Sequence, residues 1–242
     1  PTSTMAWEQV RERFRYRSGA QFSAASEFIF ASPYVPRHPD FLAYAKPSFG
    51  PGVPLLAAAH NLMERIYDDF TYSSESTEIN TPAVEALAQR KGVCQDFAHI
   101  MVACCRALGL PARYVSGYLL THPAPGQPRL IGSDASHAWV SVYVPEQSGD
   151  LGWSDFDPTN NRAPGDDYVT LATGRDYSDV SPMRGVIHGG ARHILSVAVT
   201  VMPLEPVTPP PPRSVWTSQA GDGASQSQSQ SSIWQPAKQQ WQ

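Results

Sequence analysis

Residues 91–99 read KGVCQDFAH and place one cysteine, Cys94, between a glycine turn and an apolar stretch that predicts a helix. The first turn of a helix presents unpaired N–H groups and the positive end of the helix dipole, and both favour thiolate over thiol. A buried structural cysteine is the alternative, because unpaired cysteines often pack in protein cores. Position alone leaves the two roles of Cys94 equally open.

The helix predicted over 94–108 carries apolar residues along one face and ends at a glycine followed closely by a proline. Cys104 falls on that apolar face, so we expect Cys104 and its neighbour Cys105 to be structural. His99 lies five residues after the first cysteine, on a different side of the helix. We therefore expect His99 to pack in the fold or lie at its surface rather than act as a base.

Shorter elements are predicted ahead of this helix. Apolar residues recur at helical spacing over 55–70, threonine followed by proline opens a short helix over 81–90, and another short helix fits 39–45. Arginines alternate with other residues over 10–17, which predicts a strand with one solvated face. Residues 28–30 fit the last piece of a preceding β unit.

Short strands are predicted after the helix. The segments 113–120, 136–144, 152–156 and 194–202 are rich in Val, Tyr and Leu and are bounded by Pro, Gly and Asp. Residues 160–190 carry many polar groups and predict a long loop region that supplies a lid or wall of the site. Helices followed by strands predict an α+β fold, with an antiparallel β-sheet packed on the central helix that carries the cysteine.

Composition divides the chain into three parts. Residues 1–50 are expected to be a remnant or the end of an N-terminal β-rich domain plus a proline-rich linker, and residues 51–204 to form the folded core. Residues 205–242 contain a run of prolines and many serines and glutamines, so they cannot bury enough apolar area to offset the entropy of ordering. We expect this tail to be disordered, with its tryptophans available as docking points for a protein partner.

The bulk composition excludes several classes of function. Of the 242 residues, 41% are hydrophobic, which is enough for a packed core, and the net charge of −4 argues against a nucleic-acid partner. No apolar run reaches the length of about 18 residues that a membrane span needs, and the chain does not open with the pattern of a secretion signal. Three crowded cysteines do not make a disulfide framework, which predicts a reducing compartment and a cytoplasmic location.

One predicted strand places a histidine where it can serve the cysteine. In the segment 136–144, a period of two sets His137, Trp139 and Ser141 on one face and apolar residues on the other. A histidine in a strand is commonly a satisfied structural residue. Its functional alternative is the general base and imidazolium partner of Cys94, because a neighbouring imidazolium favours the thiolate.

An aspartate ends the next predicted strand. Asp157 is followed by a proline, which is an ordinary turn sequence. In the functional alternative, its carboxylate orients the imidazole of His137 and stabilises the imidazolium charge. Asp155 lies two residues earlier on the same strand face and is the rival for that role.

Four blocks of sequence together resemble the bacterial transglutaminase-like proteins, which share a transglutaminase core of papain-like cysteine-protease fold. The blocks are residues 90–99 (RKGVCQDFAH), 110–118 (LPARYVSGY), 136–140 (SHAWV) and 153–159 (WSDFDPT), and the run 174–185 is similar to the bacterial branch. The resemblance covers about residues 50–205, and bacterial members of the family commonly carry a β-rich domain ahead of the core.

Carried over by position, the resemblance implies that Cys94 is the nucleophile, His137 its base and Asp157, rather than its rival, the orienting carboxylate. Relatives often have Glu where this chain has Ser141. Ser141 and Trp139, on the face of His137, are therefore the expected substrate contacts.

These residues predict an enzyme that acts on amide or peptide bonds of a peptide or protein substrate. Cys94 attacks the carbonyl, an acyl-thioester forms, and hydrolysis is expected over transfer to an amine because water is the abundant acceptor. The backbone N–H of Cys94 and the side chain of Tyr72 are the expected oxyanion donors. The sequence has no metal-ligand cluster, phosphate loop or dinucleotide fingerprint, so no metal and no cofactor are expected. The alternative is a non-catalytic module that uses the cleft and the tail to hold a partner.

Overall fold

The chain forms mainly helices in its first half and strands in its second. The computed structural model describes residues 5–19, 22–73, 81–120, 136–145, 152–181 and 198–203. The elements in chain order are α1 (Trp7–Arg13), α2 (Pro39–Ala45), α3 (Leu55–Asp69), β1 (Thr71–Tyr72), α4 (Ala83–Gln89), β2 (Lys91–Gly92), α5 (Cys94–Ala107), β3 (Ala112–Leu119), β4 (Ser136–Tyr143), β5 (Trp153–Phe156), β6 (Tyr168–Gly174) and α6 (Tyr177–Val180).

The described residues belong to the first of two units of the chain, Pro1–Pro203. The second unit, Leu204–Gln242, lies outside the described residues, and so do the predicted disorder of the tail and its docking role. Of the strand predicted over 194–202, residues 194–197 also fall outside them, and the described residues 198–202 do not form a strand, so the prediction is wrong there.

The α5 helix is the central element of the core. Every residue from Asp96 to Arg106 is buried, because α2, α3 and α4 pack against the helix together with β3 and β4. A helix that is apolar on all sides is stable only when it is surrounded in this way. None of the helices in the described ranges is long and apolar enough to cross a membrane. The predictions of helices over 39–45, 55–70 and 94–108 are confirmed.

The predicted short helix over 81–90 is α4, which begins one residue later than the proline rule suggests. Pro82 is the residue before the helix rather than its first helical residue, and no side chain caps the helix there. The helix ends at Arg90, which adopts a left-handed conformation with φ of 55°. This turn leads the chain directly into β2 and the cysteine.

The main sheet is antiparallel and has the strand order β5-β4-β3-β6. Ala138, Val140 and Val142 of β4 pack in the core with α5, whereas the alternate residues, among them His137, lie on the opposite face. The predicted α+β fold, with an antiparallel sheet on the helix that carries the cysteine, is therefore confirmed. The strand predictions over 113–120, 136–144 and 152–156 are confirmed as well.

The predicted loop region over 160–190 is wrong over part of its length, because it contains β6 and α6. β6 pairs with β3, and the register shifts between Ser116 and Gly117. Ser116 pairs with Ala172 and Gly117 with Thr170, which leaves Leu171 as the extra residue of a β-bulge. A strand interrupted in this way lacks the regular alternation from which a strand is recognised in a sequence.

Residues 10–17 do not form the predicted strand. Residues 10–13 belong to α1 instead, because Trp7 and Val10 recur at helical spacing and are both buried while the arginines stay at the surface. Residues 24–29 form a 3₁₀ turn in place of the predicted β piece. The described part of 1–50 packs in the same core as α5. That these residues end a β-rich domain stays a prediction.

The buried guanidinium of Arg106, at the end of α5, joins distant segments of the chain. It donates hydrogen bonds to the carbonyl oxygens of Phe30 (3.0 Å), Ala112 (2.9 Å) and Arg175 (2.6 Å) and to the Ser32 hydroxyl (3.1 Å). One side chain thus links the segment before α2, the start of β3 and the turn after β6.

We expect Gly117→Ala to lower the free energy of unfolding by about 1–3 kcal/mol, as overpacking does in a tight core. An added Cβ would meet the Val169 carbonyl oxygen and the indole of Trp139, neither of which can move aside freely. Urea unfolding followed by circular dichroism measures the change. Gly50→Ala is the control, because its Cβ would meet only a Val53 methyl group at 3.5 Å. Equal stability of the two variants would contradict the close approach of β3 and β6 at the bulge.

Candidate active site

Cys94 is the first residue of α5 and is held there by the short parallel pair of β1 and β2. The Asp96 carboxylate accepts a hydrogen bond of 2.9 Å from the Val93 N–H and closes the turn. Gly92 must be a glycine, because a Cβ would lie 2.6 Å from the Asp96 carboxylate. The turn therefore delivers Cys94 to the end of the helix.

The three cysteines have different environments. Cys94 is half-buried, whereas Cys104 and Cys105 are completely buried within α5. Burial raises the pKa of Cys105 to about 12 and raises the pKa of Cys104 well above its usual range. These two behave as the structural residues that the sequence predicts, which leaves Cys94 as the accessible thiol.

His137 lies between Cys94 and Asp157. Its Nε2 atom is 2.7 Å from Asp157 Oδ2, and the ring also hydrogen bonds to Cys94. Because Nε2 is engaged by the carboxylate, Nδ1 is the nitrogen that serves the thiol. The indole of Trp139 lies beside the imidazole, with ring centroids 6.2 Å apart and ring planes inclined by 29°.

Two opposing effects set the protonation of His137. Burial lowers its pKa, but hydrogen bonds to Asp157 and Cys94, together with the negative charge of both groups, outweigh burial and raise the pKa to about 9. The imidazole is therefore an imidazolium at neutral pH. Protonation of His137 stabilises the folded state fully below its unfolded pKa of about 6.5, and this contribution is lost as the pH rises through the folded value.

Asp157 is fully buried, and its carboxylate is surrounded by hydrogen-bond donors. Oδ1 accepts from the backbone N–H groups of Thr159 (2.8 Å) and Asn160 (3.3 Å), and Oδ2 accepts from Asn160 Nδ2 (2.7 Å) and the Tyr168 hydroxyl (2.6 Å). Burial raises the pKa of Asp157, but the bonds to His137, Tyr168 and Asn160 prevail and lower it. The group is thus held as a carboxylate.

Tyr168 and Asn160 are parts of this site that the sequence did not reveal. Tyr168 is the first residue of β6, within the stretch predicted as a loop, and its hydroxyl reaches Asp157 although β5 and β6 form opposite edges of the sheet. Asn160 lies three residues after Asp157, a spacing at which aspartate often closes a turn. That spacing was the available signal for Asn160, and none existed for Tyr168.

Asp155 does not contact His137 in this arrangement. Its carboxylate accepts from the Ser141 hydroxyl and from Trp139 Nε1 at 3.4 Å. The structure therefore brings Asp157, and not Asp155, to the imidazole.

Trp139 and Ser141 are 0% and 1% exposed, so neither offers a surface to a substrate. This corrects the expectation that they contact substrate. Trp139 instead packs against the imidazole of His137, and Ser141 bonds to Asp155.

Tyr72 is an exposed residue of β1. β1 pairs in parallel with β2, so that Tyr72 is opposite Gly92, and the ring packs edge-on against Phe97 at 6.4 Å. Its pKa is raised by partial burial and by the charge of Cys94, which places the phenol near the thiol. His99, by contrast, is 2% exposed and accepts a hydrogen bond from the Tyr177 N–H, as expected for a packing residue.

A cleft of about 520 Å³ opens over the thiol and the imidazole. Its other walls come from β3, β6 and α6, including Tyr114, Leu171 and Tyr177. The wall expected from 160–190 is therefore present, but a strand and a helix build it. In the described ranges, no cluster of three His, Cys, Asp or Glu residues could hold a metal ion.

A larger cavity of about 850 Å³ lies near the opposite end of α5, beside α1 and α2. None of the residues described along it is a Cys, Ser or Thr. It therefore lacks a nucleophile of the kind found in the smaller cleft.

Comparison with known proteins gives one family match and several sequence relatives. Residues 43–158 match the family model of the transglutaminase-like superfamily. An uncharacterized protein of Mycobacterium tuberculosis is 50% identical over 163 residues, which are 67% of this chain and 52% of that protein. The protein-glutamine gamma-glutamyltransferase of Pseudomonas aeruginosa is 34% identical over 108 residues, which are 43% of this chain and 15% of that protein.

The fold also has a solved counterpart. The crystal structure of a candidate cysteine protease from Cytophaga hutchinsonii superposes with a TM-score of 0.55 at 29% identity, over 71% of this chain and 54% of that chain. The chain thus spans about half the length of the mycobacterial relative and of this structure.

We expect Asp157→Asn to lower the pKa of His137 from about 9 by roughly 1–3 pH units, because the nearby negative charge is lost. NMR titration of the labelled imidazole measures the pKa directly. Asp155→Asn is the matched control, since its carboxylate bonds to Ser141 and Trp139 instead. A fall in the Asp155 variant with no change in the Asp157 variant would reverse the assignment.

Proposed function

Residues 43–158 form a transglutaminase-like domain, and we propose that this chain is a cysteine-nucleophile enzyme that breaks amide or peptide bonds through a thioester. The observation that carries the proposal is the connected set of an accessible thiol, an imidazole and a buried carboxylate in Cys94, His137 and Asp157. A nucleophile, a base and an orienting group in hydrogen-bond contact are the requirements of acyl transfer by a thiol.

In the first half of the proposed reaction, the Cys94 thiolate attacks the carbonyl carbon and forms a sulfur–carbon bond. The His137 imidazolium then gives its proton to the leaving nitrogen, the carbon–nitrogen bond breaks, and an amine departs. The acyl group remains on Cys94 as a thioester. His137 is now neutral and ready to accept a proton.

In the second half, His137 takes a proton from water, and the resulting hydroxide attacks the thioester carbonyl. The sulfur–carbon bond breaks, a carboxylic acid leaves, and the thiolate and imidazolium are restored. One water is consumed for each amide bond that is broken. Asp157 keeps the imidazole in one orientation through both halves, because it accepts from Nε2 and leaves Nδ1 facing the thiol.

The tetrahedral intermediates of both halves carry a negative oxygen that needs hydrogen-bond donors. We assign the first donor to the Cys94 backbone N–H, which lies at the start of α5 with no partner within the helix. We assign the second to the Tyr72 hydroxyl, which is supported by its proximity to the charge of Cys94.

Water is the proposed acceptor of the acyl group. It is abundant at an open cleft, and an amine would need a site of its own. The name of the Pseudomonas aeruginosa relative describes a protein-glutamine gamma-glutamyltransferase, but only 15% of that protein is matched. A thiol nucleophile acts only when reduced, so we also propose a reducing compartment such as the cytoplasm.

Limiting iodoacetamide at about pH 6 should modify Cys94 before Cys104 and Cys105, which are both 0% exposed. We expect His137→Ala to slow this modification, because the imidazolium that favours the thiolate is removed. The modification rates of Cys94 in the native chain and in His137→Ala should become equal as the pH rises above about 9, where His137 itself loses its proton. Peptide mass spectrometry gives the site, and a rate that is indifferent to His137 would contradict the pairing.

The reaction itself is tested by a screen of peptides, isopeptides and glutamine amides, with and without a primary amine. We expect new amino termini or released ammonia and no incorporated amine, and we expect Cys94→Ala to abolish both products. Incorporation of the amine would show a transferase instead. Inertness toward every substrate, with Cys94 unreactive, would favour the non-catalytic alternative.

A further inference from the structure

The β-bulge in β6 gives the cleft an exposed apolar side chain. Neighbouring residues of a regular strand point to opposite faces of a sheet, yet Leu171 and Ala172 both line the cleft that contains Cys94. The bulge accounts for this, because Leu171 is the residue without a partner in β3 and Ala172 resumes the pairing opposite Ser116. The extra residue thus turns a leucine toward the nucleophile.

Leu171 does not contribute to the hydrophobic core. Its side chain is 57% exposed and lies outside the hydrophobic core, so burial in the free protein does not explain an apolar residue there. Bulges beside active sites commonly redirect a side chain. A ligand in the cleft would cover this surface.

The charges along the described part of the cleft favour an apolar ligand. Asp179 is the carboxylate there, and it is already bound by the guanidinium of Arg175 through two bonds of 2.8 and 2.9 Å. His137 is committed to Cys94 and Asp157. A charged substrate side chain would therefore lose its water near Leu171 without gaining an opposite charge.

We propose that Leu171 determines specificity by contacting an apolar side chain in the acyl part of the substrate, close to the scissile amide. This inference rests on the proposed function, since it assumes that Cys94 attacks a peptide carbonyl. We assign the contact to the acyl part of the substrate because this part stays bound to Cys94 in the cleft through both halves of the reaction. The substrate class is thus a peptide with leucine-like residues before the bond that is broken.

The test uses two peptidyl chloromethyl ketones, which alkylate an active-site thiol. One has leucine at both residues before the reactive ketone, and the other has aspartate at both. The rate constants for inactivation of Cys94 are measured for the native chain, Leu171→Lys, Leu171→Ala and Val169→Lys. Val169 is the matched control, because it is also exposed on β6 (41%) but does not line the cleft.

For the native chain we expect the leucine reagent to react roughly tenfold faster or more, a typical discrimination for an apolar contact. Leu171→Lys should reduce this preference by about the same factor, because lysine attracts the aspartates and removes the apolar surface. Leu171→Ala should slow the leucine reagent alone. Val169→Lys should keep the native preference.

Iodoacetamide, which lacks a peptide, separates the two levels of the proposal. If it labels Cys94 in every variant but the preference is unchanged in both Leu171 variants, the role of Leu171 is overturned and the proposed function stands. If it fails to label Cys94 in the native chain, the proposed function is overturned, and the inference with it. Leu171→Ala decides the matter should the lysine variant not fold.

Discussion

The burial of α5 on all sides is the constraint on which the site depends. Because the helix is buried from Asp96 to Arg106, only its two ends remain accessible, and Cys94 is the first residue of the helix. The same packing sets β4 beside the helix, which brings His137 to the thiol. Of the three cysteines, Cys94 alone is accessible, because the other two lie within the buried part of the helix.

The buried negative charge of Asp157 is stabilised by hydrogen bonds from groups around it. Asp157 carries a negative charge without solvent because the Tyr168 hydroxyl and the backbone and side chain of Asn160 donate to it. An uncompensated buried carboxylate would take up a proton, and it would then no longer favour the imidazolium of His137. β6, an edge strand of the sheet, thus stabilises the buried charge of Asp157 through the Tyr168 hydroxyl.

The sequence predicted the parts of the molecule whose signals are local. Helical periodicity and a glycine turn are enough to place Cys94 at the start of a helix, and alternation along one strand is enough to place His137 on the face away from the core. Predictions failed where the outcome depends on partners distant in sequence. The arginines of 10–17 alternate like a strand, but burial of Trp7 and Val10 makes residues 10–13 part of a helix. The bulge at Leu171 depends on the register against β3, which no local pattern of residues encodes.

The bonds made by Arg106 show that the stretch matched by the family model is not structurally self-sufficient. The family match begins at residue 43, but the guanidinium is satisfied in part by Phe30, and the buried Asp176 accepts from the Tyr34 N–H. A chain restricted to residues 43–158 would enclose the Arg106 guanidinium without the Phe30 and Arg175 carbonyl oxygens that accept hydrogen bonds from it. The folding unit is therefore larger than the stretch that the family model matches, and the residues ahead of position 43 supply polar groups that the buried core requires.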